Sequence, residues 1–179
     1  CTSSKVRTMT RLLKKVEKMP HSSEHSGQST SHMHGSCEPY EPLKAYPFDT
    51  FERNCLTLAR MFFVSFHHPE RHAWVQAFQY SETAFGAENS ADIAKHVMDV
   101  VNTMRQTRSS GFSYCDPFCV ECSVMMTREE RYLISALHDI RNGRSSAAHL
   151  SSMLLCEGAD DAAFINALEA LRAKAHALV

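Results

Sequence analysis

From Asp49 onward apolar residues recur at intervals of three and four, the period of a helix with one buried side. Phe51, Cys55, Leu58, Phe62 and Phe66 make the first stripe, and Asp49 with Glu52 has capping-box spacing, so a helix is expected over about 49–67. His68-Pro69 starts the second, with Pro at its first position. Ala73, Trp74, Ala77, Phe78, Ala84 and Phe85 form its apolar side, and Gly86 ends it. Ser90 caps a third helix with Ile93, Val97, Val100, Val101 and Met104 on one face, ending near Arg108.

Thr127 and Glu130 supply a second capping box. Leu133, Ile134, Leu137 and Ile140 stripe the fourth helix, which Gly143 closes. Ala148, Leu150, Leu154 and Leu155 mark a short fifth helix over 145–156, stopped by Gly158. Asp160 or Asp161 opens the sixth, with Phe164, Leu168, Leu171, Ala175 and Leu178 on its inner side. No strand-like alternation runs beyond a few residues. The expected fold class is all-α: a compact bundle of about six short helices with a cysteine-containing loop between the third and fourth.

Residues 1–47 read differently. Met9, Leu12, Leu13 and Val16 share one helical face in a basic, acid-poor segment. That pattern suits a membrane-surface or targeting helix, and Cys1 suits the lipidated start of a processed lipoprotein. So short an amphipathic stretch favours a flexible tail over either. Residues 20–47 are rich in Ser, His, Gly and Pro and bury too little to offset ordering entropy. The expectation is a disordered N-terminal tail and linker over 1–47 and one helical domain over 48–179. His21, His25, His32, His34 and Cys37 could bind metal as a His-rich tract, but a solvated linker explains them without a ligand.

Charge sharpens the division. Residues 1–18 carry six bases against Glu17, a balance of +5, so the other residues carry −6 toward the formal total of −1. An acidic body argues against broad binding to nucleic acid. No apolar run approaches the ~18 residues of a membrane span. The seven cysteines are an odd count, and Cys55 and Cys156 fall inside apolar helical patterns. That usage fits a reducing compartment, so the cytoplasm is expected.

The candidate chemistry lies in Cys115-Asp-Pro-Phe-Cys119-Val-Glu-Cys122, three thiols in eight residues. Zn²⁺ takes four tetrahedral ligands, and thiolates supply them well. Cys115, Cys119 and Cys122 are the expected ligands. Cys156 or His149 on the fifth helix would complete the set, with His138 behind them. Such a structural zinc site would pin the 109–126 loop to the C-terminal helices. The same residues allow a thiol switch, because Cys119 and Cys122 form a CxxC pair.

The Cx3Cx2C spacing also resembles the cluster-binding signature of radical S-adenosylmethionine enzymes. In that family the motif follows the first strand of a partial βα barrel. Here it follows a helix, and the 57 residues after Cys122 read as helical. A third reading takes helix 127–142, the Gly143 turn and helix 145–156 as a helix-turn-helix with the last helix as reader. The layout over 127–179 is similar to winged-helix regulators of the MarR type, which implies DNA binding. Arg128, Arg131, Arg141 and Arg144 could then touch phosphates. The reading helix, however, opens with Asp160 and Asp161 and has no base before Arg172, so a duplex would repel it.

His67, His68 and His72 cluster with Glu70 at a helix junction and are expected at the surface. HExxH, GxSxG and Gly-rich phosphate loops are absent, so no catalytic residue is assigned. The sequence-based expectation is a helical binding or regulatory protein with structural zinc and an unidentified protein partner. The alternatives are a DNA-binding regulator over 127–179 and a thiol-redox sensor using Cys119 and Cys122.

Overall fold

The computed structural model describes residues 40–176. The expected tail over residues 1–39, including the basic helix and the His-rich tract, lies outside the described residues, as does Leu178. The fold is all-α, with seven α-helices among the described residues. They are α1 (Thr50–His67), α2 (Ala73–Phe85), α3 (Ala87–Thr107), α4 (Val120–Ser123), α5 (Arg128–Arg141), α6 (Ser145–Leu155) and α7 (Ala162–His176). The only sheet among them is a two-residue antiparallel ladder of β1 (Glu41–Pro42) and β2 (Met125–Met126).

Both capping boxes form. The Asp49 side chain accepts from the Glu52 N–H and the Glu52 carboxylate from the Asp49 N–H, each at 2.9 Å. Thr127 and Glu130 exchange the same bonds at 2.9 and 3.1 Å. Each box satisfies two of the donors that a helix start leaves open. Gly143, at φ +70, closes α5 in a conformation that side chains disfavour.

α1 packs against α2, α3 and α5, and α7 against α3 and α5, around one core. Leu58, Phe63, Val101, Met104, Ile134, Phe164 and Leu168 are all buried there. The stripes of α1, α3, α5 and α7 point inward as their spacing requires.

Four features depart from the expectation. The domain begins before 48: Glu41 pairs with Met126, the Leu43 N–H donates to the Val124 carbonyl at 2.9 Å, and Tyr46 stacks on Phe48. Pro69 opens a 3₁₀ turn over Pro69–Arg71, not α2. His72 follows in the left-handed region at φ 49, and only then does α2 start. The third helix starts at Ala87, before Ser90, with Gly86 as its cap. On α2, Trp74 and Phe78 are exposed at 51% and 41%, because Ala73, Ala77, Ser81 and Phe85 take the buried side.

Candidate functional site

The loop between α3 and α5 is held by a buried ion pair. Arg60 on α1 and Glu130 on α5 are 1% and 0% exposed. The Arg60 Nε–H donates to Glu130 Oε1 at 2.6 Å, and an Nη2–H donates to Oε2 at 3.0 Å. The guanidinium also donates to the carbonyls of Ser123 and Met125, at 2.8 and 2.6 Å. In return the Glu130 carboxylate accepts the N–H groups of Cys115 and Thr127, at 3.1 and 2.9 Å. Charges taken out of water are costly unless so fully paired. One guanidinium and one carboxylate thus bind the loop at residues 115, 123, 125 and 127.

A second anchor holds the start of the loop. The Glu157 carboxylate accepts from the N–H groups of Ser109 and Ser110 and from both hydroxyls. Arg108 approaches it at 3.3 Å and donates to the Leu155 carbonyl. The Ser109 and Ser110 bonds draw the Glu157 carboxyl down to about 2.

Within the loop the three cysteines differ. Cys119 caps the short helix α4, and its Sγ accepts from the Cys122 N–H at 3.3 Å. The Cys122 thiol, with the Cys122 and Glu121 N–H groups, draws the Cys119 thiol below its ordinary value. Donating to Cys119 pushes Cys122 up, and burial adds to that rise. Both are half-buried. Cys115 is buried, and burial with the neighbouring Glu130 carboxylate pushes it up to about 12.

The expected zinc ligands are not brought together. Among the described residues no group of three or more His, Cys, Asp or Glu side chains could hold a metal ion. Cys119 and Cys122 meet each other, whereas Cys115 turns to the Arg60–Glu130 pair. Cys156 is buried beside Ser152, and burial raises its thiol. His149 is exposed and faces Asp161 at 3.3 Å. His138 sits 3.0 Å from Glu52, the carboxylate of the α1 capping box. The pinning assigned to zinc falls instead to Arg60–Glu130 at one end of the loop and Arg108–Glu157 at the other. Arg60 interrupts the apolar run Leu58-Ala59-Arg60-Met61-Phe62, and a base inside a buried stripe was the available signal for the first anchor.

Three arginines of the helix-turn-helix reading are engaged in ion pairs. Arg131 meets Glu41 at 3.1 Å, Arg141 meets Asp49 and Glu52 at 2.6 Å each, and Arg144 meets Asp139 at 2.7 Å. Burial alone would raise the Asp49 carboxyl, but the Glu52 N–H and Arg141 outweigh it and hold it below its usual value. In the histidine cluster His67 lies 3.2 Å from the Tyr114 hydroxyl and His68 lies 3.3 Å from Glu70. No helix among the described residues is long and apolar enough to cross a membrane.

Comparison with known protein families, characterised proteins and solved structures finds no match for this chain.

Proposed function

We propose that this protein is a thiol-redox sensor whose working pair is Cys119 and Cys122. The observation that carries the reading is the geometry of the pair: two free, half-buried thiols share one turn, Cys119 caps α4, and its Sγ accepts the Cys122 N–H at 3.3 Å, a bond that favours the Cys119 thiolate. A low thiol beside a proton-holding partner is the arrangement for attack followed by resolution. The Cys119 thiolate attacks one sulfur of a low-molecular-weight disulfide and releases the other half as a thiolate. Cys122 then attacks the Cys119 sulfur of the mixed disulfide and releases the second half. The two protons of the dithiol leave with the two thiols formed. A reducing compartment such as the cytoplasm would reset the pair.

The output is mechanical. Ser123 follows Cys122 directly, and its carbonyl is held by Arg60. Closing a bond of about 2.05 Å between the sulfurs re-forms α4 and pulls on that carbonyl. A binding surface that includes 118–125 changes with it, which gives the protein a regulatory role toward a partner.

The test is equilibration of the full chain with mixtures of reduced and oxidised glutathione, followed by alkylation and peptide mapping. The expected result is a single Cys119–Cys122 disulfide that forms and reverses with the mixture. Cys119→Ser should abolish it, and Cys115→Ser should leave it intact. Thiols that stay free at 119 and 122 in oxidised glutathione alone would overturn the reading.

A further inference from the structure

Beside the cysteine loop lies an open cleft of about 520 Å³. Pro42, Leu43, Val124 and Met125 give it apolar walls, and Lys44 and Arg53 supply the only charges among its lining residues. Neither base forms a side-chain hydrogen bond or ion pair among the described residues, and no carboxylate lines the cleft. The walls are fixed in place. β1 and β2 pair across them, the Leu43 N–H holds the Val124 carbonyl at 2.9 Å, and Arg60 holds the Met125 carbonyl at 2.6 Å.

Small-molecule sites span about 300–1,000 Å³ and combine apolar walls with a few polar groups that set orientation. Here the volume falls in that range, and the polar lining is Ser123 with two cations that have no carboxylate partner among the described residues. We propose that the cleft binds an amphipathic carboxylate of the fatty-acid class, with its chain against Leu43, Val124 and Met125 and its carboxylate between Lys44 and Arg53. The charge complementarity selects an anion over a neutral or cationic amphiphile. The half-open shape leaves the polar end in water, where a carboxylate keeps its charge at little cost.

The probe is decanoate, titrated below its micelle concentration into the full chain kept reduced. The methyl signals of Leu43, Val124 and Met125 are followed by NMR. Saturable shifts confined to those methyls are expected, with decanol bound about fivefold or more weakly for want of an ion pair. Lys44→Gln/Arg53→Gln should bring decanoate down to the affinity of decanol while the core signals of α3 and α7 keep their positions. Val124→Trp, which fills the cleft, should remove both ligands. Equal binding of decanol and decanoate would overturn the proposal, as would shifts that survive Val124→Trp. An acidic, apolar peptide that binds where decanoate does not would overturn it too. Because the chain stays reduced throughout, these outcomes bear on the cleft and not on the dithiol.

Discussion

Arg60 is flanked in the chain by Leu58, Ala59, Met61 and Phe62, all of them buried. Removing one member of a buried ion pair leaves the other without a counter-charge, at a cost of about 3–5 kcal/mol. Arg60→Met should lose stability in that range in urea melts. Arg60→Met/Glu130→Met should lose less than the sum of the single changes. Additivity to within about 0.5 kcal/mol would show the two groups to be uncoupled. Glu157 behaves differently because solvent reaches it. Its carboxyl sits at about 2 in the folded chain and ordinarily at 4.5, so its contribution is whole above 4.5 and is lost as pH falls toward 2. Glu157→Gln should therefore melt below the wild type at neutral pH. The gap should close across that acid window, and a gap independent of pH would refute the assignment. Neither anchor is visible in the sequence, since Glu130 lies 70 residues from Arg60, and Glu157 lies 48 from Ser109 and 47 from Ser110.

Helix ends were the most legible elements. Asp49 with Glu52 and Thr127 with Glu130 cap as their spacing demands, because capping is local chemistry within four residues. Thr127 carries a further bond, donating its hydroxyl to the Ser113 carbonyl at 2.8 Å. Thr127→Ala should thus cost about 1–2 kcal/mol, at the upper end for a cap, measured by thermal melts. The start of α2 was misread for an equally physical reason. Pro69 suits a 3₁₀ turn as well as a helix start, and nothing in His72 signals a left-handed residue. Holding a side chain there costs on the order of 1 kcal/mol, so His72→Gly should raise stability by a few tenths to 1 kcal/mol in the same assay. A loss on that substitution would mean the ring has a structural role at the junction. In the cysteine loop the CxxC spacing brought Cys119 and Cys122 together as read. The spacing of Cys115 did not predict its turn toward Glu130, since that turn depends on a distant helix.

For the molecule as a whole, periodicity identified which helices are amphipathic but not which edge of each apolar face is covered. α6 shows this well. Ala148 and Leu155 are buried, whereas Leu150, Met153 and Leu154 are half or more exposed. Leu155→Ala should cost about 2–5 kcal/mol, and Leu154→Lys should change stability by less than about 0.5 kcal/mol in denaturant titrations. A large loss at Leu154 would mean that the exposed face is covered in solution.

The guanidinium of Arg60 finds its acceptors 63, 65 and 70 residues further along the chain. The bonds to Glu130 cannot form until α1 and α5 have met in one alignment, and those to the Ser123 and Met125 carbonyls wait for the loop to reach α1. Apolar ridges alone tolerate sliding by a turn, since one leucine contact replaces another. A slid pairing would bury a cation with no anion and a carboxylate with no donor, and it would be rejected for that reason. The pair therefore discriminates between registers: among compact arrangements with equally greasy interiors, it leaves one in which no charge is stranded.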